Sequence, residues 1–407
     1  MATISLSENS FTTSLVPDTH VKRVAIIAYI AAFMVGTLNP IAGLASPQIA
    51  SHFNVNVSHI VYLDVLTLIG ILLGNIFSGK LIGKFGGKKT LALSGLLMLI
   101  AQYTIGMQNN LYLYAGCVLL SGIGIGFMVP SVSYLIVGSY QKFGKSDARL
   151  SVLNFFFGMG SFAGPFVGGL IMARCGWRMA FLVTGSLALI MFLTSLLTKV
   201  DESIGIKREK IAEKSQTHAK VITLGVVLIG LGLIAYVYTE YIVSYWFSPY
   251  LQLNLNYGVA IVGAVIGTFW LTIAIGRLVF GAFVLTRVKS YHFVIVMAMI
   301  TLIGFVCFLM VSHIVAIFLC VILLGIGCAS IFPTMLGYGM QLNGVTPLVT
   351  AFLIGSGSVG GALSLFVSGT IGEHIARKDA IYMGPVCAIL IIIFIVAAQV
   401  NSRKKKV

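Results

Sequence analysis

The sequence predicts an all-α membrane protein with twelve transmembrane helices, arranged as two pseudo-symmetric six-helix bundles. An apolar composition, twelve long apolar segments and an internal repeat predict this fold class. Of the 407 residues, 58% are hydrophobic and only 9% are charged. Soluble proteins carry about 25% charged residues, so this chain lacks the charged surface that a soluble protein of its length needs. Lipid can cover the apolar surface instead.

A helix needs about 20 mainly apolar residues to cross the hydrocarbon core of a bilayer. Twelve segments of the chain fit this template, near 24–50, 57–82, 89–107, 111–138, 148–173, 178–199, 221–250, 257–284, 290–311, 314–340, 346–373 and 380–400. The predicted domains are therefore an N-terminal tail (1–23), a first bundle (24–199), a linker (200–220), a second bundle (221–400) and a basic C-terminal tail (401–407).

The net charge of +15 comes from basic residues in short runs between the apolar segments. If both termini are cytoplasmic, all but five of the 26 Lys and Arg residues lie in cytoplasmic segments. Cytoplasmic loops of membrane proteins carry such an excess. We therefore expect a multi-pass protein of a bacterial inner membrane, with both termini in the cytoplasm. The same distribution argues against a nucleic-acid partner.

Three short patterns recur in the same order in both halves of the chain. They are Ser-Pro at 46–47 and 248–249, Leu-Ser-Gly-Ile-Gly at 120–124 and Leu-Leu-Gly-Ile-Gly at 323–327, and a glycine-serine cluster at 158–164 and 355–361. Parallel repeats of this kind place a substrate path between the halves, near the midplane of the membrane. We expect helices 1, 4, 7 and 10 to surround it.

The segment between helices 2 and 3, residues 79–91, resembles the loop motif of the major facilitator superfamily, with Gly83 where that motif usually has Asp. Further segments resemble the fucose–galactose–glucose proton symporter family, in particular its TsgA-like branch: 53–58, Glu240 with 244–251, 275–277, 332–334, and 357–360 with Gly369 and Glu373. These resemblances imply the major facilitator fold. They also imply a proton-coupled symporter that moves a small polar solute, such as a sugar, by alternating access.

Two departures keep alternatives open. Sugar-transporting members carry acidic groups in helices 1 and 4, where this chain has Gly43 and Phe127. Residues 160–169 resemble a motif of drug–proton antiporters, although the Arg that those exporters carry in helix 4 is Val118 here. A proton-driven exporter of drugs or metabolites is thus an alternative function. A non-transporting membrane sensor is an alternative of another class, although the sequence offers no soluble output domain.

Ionisable groups inside the bilayer cost at least ~2.5–3.5 kcal/mol, so each one suggests a function. Glu240 is the leading proton-coupling candidate, because Tyr236 and Ser244 lie four residues to either side on the same helix face. Asp64 is the second candidate, seven residues into helix 2. Arg277 in helix 8 is a candidate conformational latch.

The remaining candidates are assigned by residue type and position. Lys84 and Lys88 of the loop motif join Arg277 as latch residues. Residues that can hydrogen-bond to a polar solute or stack on it are the candidates for the substrate cavity: Asn39, Asn154, Tyr236, Tyr241, Trp270, Tyr338 and Gln341.

The sequence contains no GxxxxGK[ST] or HExxH motif and no CxxC pair among its six cysteines. We therefore expect no metal, no cofactor and no enzymatic activity. The expected partners are a small-molecule substrate, a proton or other coupling ion, and membrane lipid, and we expect a monomer.

The predicted topology can be tested with reporter fusions. A reporter placed after Val407, or within residues 201–219, is expected to indicate a cytoplasmic location, because both segments are basic. A periplasmic signal at either position would contradict the orientation and the predicted number of helices.

Overall fold

The computed structural model describes residues 19–140, 146–198, 222–284, 287–343, 347–375 and 377–404. Twelve helices in these ranges are long and apolar enough to cross a membrane, which confirms the predicted all-α fold. The predicted linker, most of the N-terminal tail and the last three residues of the C-terminal tail, at residues 199–221, 1–18 and 405–407, lie outside the described residues.

Each half of the chain contributes six helices. The first half contains α1 (Thr19–Phe53), α2 (Val57–Phe85), α3 (Gly87–Met107), α4 (Leu111–Tyr140), α5 (Ser146–Cys175) and α6 (Trp177–Leu197). The second contains α7 (Leu224–Asn254), α8 (Val259–Val279), α9 (Ser290–Met310), α10 (Ile314–Cys328 and Ile331–Asn343), α11 (Pro347–His374) and α12 (Arg377–Lys404).

Glycine allows two of the sharpest reversals in the first half. Gly86, between α2 and α3, has φ +86°, and Gly176, between α5 and α6, has φ +80°. A side chain is strained in this left-handed region, whereas glycine is not. Consecutive helices therefore reverse direction with a single residue between them.

The internal repeat is visible in how the helices pack. In the first half α1 packs on α5, α2 on α4, and α3 on α6. The corresponding pairs of the second half, α7 with α11, α8 with α10, and α9 with α12, also pack together. The halves meet where α5 packs on α8 and α11 packs on α2, and these two contacts are equivalent under the repeat.

The halves also meet along α1 and α7, where glycine permits backbone contact. A Cβ atom added to Gly43 would lie 2.1 Å from the backbone oxygen of Ser244. Small residues allow helices in membranes to approach this closely. The two halves therefore touch through backbone near the middle of the molecule.

Helix α7 contains two π-helical turns, Ile242–Trp246 and Tyr250–Asn254, on either side of Pro249. In the first of them the Phe247 N–H donates to the Ile242 oxygen, five residues earlier. Proline has no N–H and crowds the preceding turn of a helix. Single π turns occur frequently at functional sites, where they change the direction of the side chains that follow. The helix, predicted to end near residue 250, continues to Asn254.

The two ends of the bundle differ in how the halves contact each other. We call the end where α1 begins and α12 ends the terminal face, and the opposite end the distal face. Near the distal face Tyr62 Oη donates to Thr370 Oγ1 at 3.1 Å, and His59 Nε2 lies 3.5 Å from Glu373 Oε1. These contacts join α2 to α11, so the two halves are held together at the distal face.

Candidate functional site

An internal cavity of about 260 Å³ lies mostly within the first half and is closed by α7 of the second half. Its lining consists of Val35, Leu38, Asn39, Ala42, Asp64, Thr67, Leu68, Ile71, Gln102, Ile105, Tyr114, Val118, Ser121, Ile125, Val129, Phe157, Phe181, Tyr241 and Tyr245. The expectation that helices 1, 4, 7 and 10 surround the cavity holds for α1, α4 and α7. It is wrong for α10, which contributes none of the described lining residues, whereas α2 contributes four.

Two tyrosines of α7 form the wall between the cavity and the second half. Tyr241 and Tyr245 stack with ring centroids 5.4 Å apart and an angle of 8° between the rings. The Tyr245 hydroxyl donates to Asn39 Oδ1 of α1 at 3.1 Å. This hydrogen bond crosses from one half to the other at the edge of the cavity.

A second polar group in the lining belongs to α3. Gln102 Nε2 of α3 donates to Ser121 Oγ of α4 at 3.0 Å, and Thr184 Oγ1 of α6 lies 3.2 Å from Gln102 Oε1. Gln102 is 2% exposed and therefore needs these partners. The network fixes the orientation of its amide beside the cavity.

Asp64 is the one formally charged residue among the described residues that line the cavity. It is 2% exposed, and its Oδ2 atom is buried without a hydrogen-bond partner. Burying an ionised carboxylate without a partner costs several kcal/mol or more. The Asp64 carboxyl therefore favours either a proton or a bound cationic donor.

Glu240, 8% exposed, lies outside the cavity, where α7, α8 and α10 meet. Its Oε1 atom accepts a hydrogen bond from Tyr236 Oη at 2.7 Å and lies 3.5 Å from Arg277 Nη2. Arg277 Nε donates to the Ala329 oxygen at 2.9 Å. We call Tyr236, Glu240 and Arg277 the carboxyl–arginine cluster.

The carboxyl–arginine cluster rests against a break in α10. The helix is interrupted by a turn at Ala329 and Ser330, which leaves backbone oxygens without helical partners. Arg277 bonds to one of them, and Tyr236 Oη lies 2.8 Å from another, that of Cys328. The carboxyl–arginine cluster thus lies at the contact of α7 and α8 with this break.

The structure brings two of the seven cavity candidates, Asn39 and Tyr241, to the cavity. Trp270 lies one layer behind it and packs edge-on against Phe157 at 6.5 Å, while Tyr236 belongs to the carboxyl–arginine cluster. Tyr338 hydrogen-bonds to Gln399 of α12.

The remaining candidates lie near the terminal face. Asn154 on α5 and Gln341 at the end of α10 are exposed. Among the proposed latch residues, Lys84 is exposed with its ammonium 5.2 Å from the Phe85 ring centroid, and Lys88 is half-buried. None of these four residues lines the cavity.

Seven polar or aromatic lining residues were not predicted: Thr67, Gln102, Tyr114, Ser121, Phe157, Phe181 and Tyr245. Gln102 carried a usable signal, because an amide in the middle of an apolar helix needs an internal partner. Tyr245 follows Tyr241 by four residues and so shares its face of a regular helix. Tyr114 and Ser121 carried no comparable signal.

Comparisons with known proteins agree with this architecture. The family model described as Major Facilitator Superfamily matches residues 25–345. A protein described as "Protein TsgA homolog" from Yersinia enterocolitica is 23% identical over 365 residues, covering 88% of this chain and 91% of that protein. A homologue of the same description from Yersinia pestis is 22% identical over 372 residues, with the same coverage.

A solved structure, described as a mutant of the nucleoside transporter NupG, has a TM-score of 0.74 to this chain. The two are 11% identical, and the match covers 94% of this chain and 99% of that one. At this identity the likeness shows the fold alone.

The contacts of the carboxyl–arginine cluster predict the outcome of a double-mutant cycle. Arg277→Leu is expected to destabilise the protein by roughly 2–5 kcal/mol, because it leaves the Glu240 carboxyl without its cation. Adding Glu240→Gln to that variant should restore part of the loss, since the unpaired charge is then removed. Thermal unfolding of the purified proteins in one detergent measures both effects. Strictly additive losses would mean that the two side chains do not interact.

Proposed function

This chain belongs to the Major Facilitator Superfamily, and we propose that within it the protein is a secondary active transporter. It moves a small polar solute by alternating access and couples that movement to proton symport. It is a multi-pass membrane protein, and we place it in a bacterial inner membrane with both termini in the cytoplasm. The observation that carries the proposal is a cavity in the first half, bounded by α7 of the second half, whose mainly apolar lining includes several polar side chains and a buried carboxyl group.

The dimensions of the cavity favour a small metabolite. Its volume of about 260 Å³ lies below the roughly 300–1,000 Å³ of pockets that hold drug-sized ligands. Stacked tyrosines and the Asn39 and Gln102 amides offer ring faces and hydrogen bonds to a solute of sugar-like size. These features support transport of one small solute class over transport of many large ones.

The glycine motif that resembles drug antiporters has a packing role in this chain. A Cβ atom on Gly160 would lie 2.0 Å from the Phe33 oxygen, and one on Gly164 would lie 2.5 Å from the Thr37 oxygen. Both glycines therefore allow α5 to approach α1 at backbone distance. This contact accounts for the motif without drug export.

We assign the coupling proton to Glu240. In its ionised form the carboxylate pairs with Arg277, which also holds the break in α10. Protonation neutralises the carboxylate and weakens its attraction to Arg277, because a neutral carboxyl lacks the Coulombic part of the interaction. The α7–α8–α10 contact can then rearrange, so that proton binding changes the balance between the two states of the transporter.

The proton assignment predicts different outcomes for two transport assays. Glu240→Gln keeps the shape of the side chain but fixes it in a neutral state. Proton-driven accumulation is expected to fall to the level without a gradient, while solute exchange across the membrane continues, because exchange needs no net proton movement. The solute is first identified by a thermal-shift screen of sugars, nucleosides, amino acids and amines, and then used in radiolabelled form in vesicles.

Asp379→Asn is the matched control, because Asp379 lies in the first turn of α12, away from both the carboxyl–arginine cluster and the cavity. It should retain accumulation. Full accumulation by Glu240→Gln, at equal protein level, would remove Glu240 from the coupling mechanism and make Asp64→Asn the next variant to measure.

A further inference from the structure

The charge of the cavity restricts which solutes it can hold. Asp64 lies seven residues into α2, roughly 10 Å along the helix from its distal end. No lysine, arginine or histidine is among the described residues that line the cavity, so its formal charge comes from Asp64 alone. An ionised Asp64 would repel an anionic solute, and beside a neutral solute Asp64 would need a proton in place of a counter-ion.

The Asp64 carboxyl, in the wall of the cavity, has a hydrogen-bond acceptor that the protein leaves unused. Its Oδ2 atom is buried and accepts no hydrogen bond from the protein. An ammonium group has three N–H donors and no acceptor, and it would supply both the missing hydrogen bond and the missing positive charge. A hydroxyl group could supply only the hydrogen bond.

The remaining walls fit the rest of such a molecule. Tyr114, Tyr241 and Tyr245 line the same cavity as Asp64, together with Phe157 and Phe181. Aromatic faces attract cations within about 6 Å of the ring centroid, and they also pack against an apolar body. The combination of one carboxylate with several aromatic rings is suited to an organic cation.

We propose that the cavity binds a small protonated primary amine, with the ammonium group on Asp64 and its apolar body between the tyrosine and phenylalanine rings. This inference rests on the proposed transport function and names the substrate class of the same cavity. It also separates the roles of the two buried carboxyl groups. Asp64 holds the transported ammonium ion, and Glu240 carries the coupling proton.

The test compares amines with alcohols of the same skeleton, by calorimetric titration of the purified full-length protein in detergent at neutral pH. The pairs are butylamine with butanol, phenethylamine with 2-phenylethanol, and tyramine with 4-(2-hydroxyethyl)phenol. We expect at least one amine to bind roughly tenfold or more tightly than its alcohol, because a hydrogen bond to a charged group is the stronger one. Asp64→Asn should abolish this preference, and Asp64→Glu should retain it in part.

Asp379→Asn serves as the control, because Asp379 lies in the first turn of α12 and does not line the cavity. It should bind like the wild type. The proposal is overturned if no amine binds the wild type more tightly than its alcohol, or if folded Asp64→Asn keeps the preference. Glu240→Gln separates this result from the transport proposal: binding without a gradient should survive that change even where accumulation is lost.

Discussion

Much of this molecule depends on the free-energy cost of placing a carboxyl group inside a membrane protein. Two buried carboxyl groups meet this cost in different ways. Glu240 has a hydrogen bond from Tyr236 and a cation, Arg277, at 3.5 Å. Asp64 has a buried oxygen atom without a partner, in the wall of a cavity. A group whose charge is neutralised by other protein groups can act as a switch, whereas one that lacks such a partner is suited to bind a ligand.

The repeat gives both halves the same helix packing, yet the halves have diverged in the interior. The first half keeps an open volume between α1, α2 and α4. In the second half, the meeting point of α7, α8 and α10 contains the carboxyl–arginine cluster. The stacked pair Tyr241 and Tyr245 connects the two regions, since it lines the cavity and follows Glu240 directly along α7. In the mechanism that we propose, solute binding and proton binding therefore act on the same helix.

The sequence predicted the twelve helices and their repeat, because bilayer thickness sets helix length and apolar composition marks each span. It also identified Glu240 and Arg277, since a charge within an apolar run is conspicuous. Sequence position gives the depth of a residue in the membrane but not the direction in which its side chain points. Asn154 and Gln341 were therefore predicted at the cavity but lie exposed elsewhere, and Gln102 was missed. The π turns of α7 break the 3.6-residue period from residue 242 onward, although Tyr245 still lines the cavity beside Tyr241.

The central claim is that the charge on Glu240 controls the balance between two arrangements of the halves. Spin labels at Tyr112 on α4 and Met310 on α9 would report it most directly, because both side chains are exposed at the distal face, in different halves. Pulsed dipolar spectroscopy then measures the distance between the labels in the wild type, in Glu240→Gln and in the control Asp379→Asn. We expect Glu240→Gln to increase the population of long, distal-open distances, while Asp379→Asn leaves the distance distribution of the wild type unchanged. Identical distance distributions for the wild type and Glu240→Gln would contradict the account.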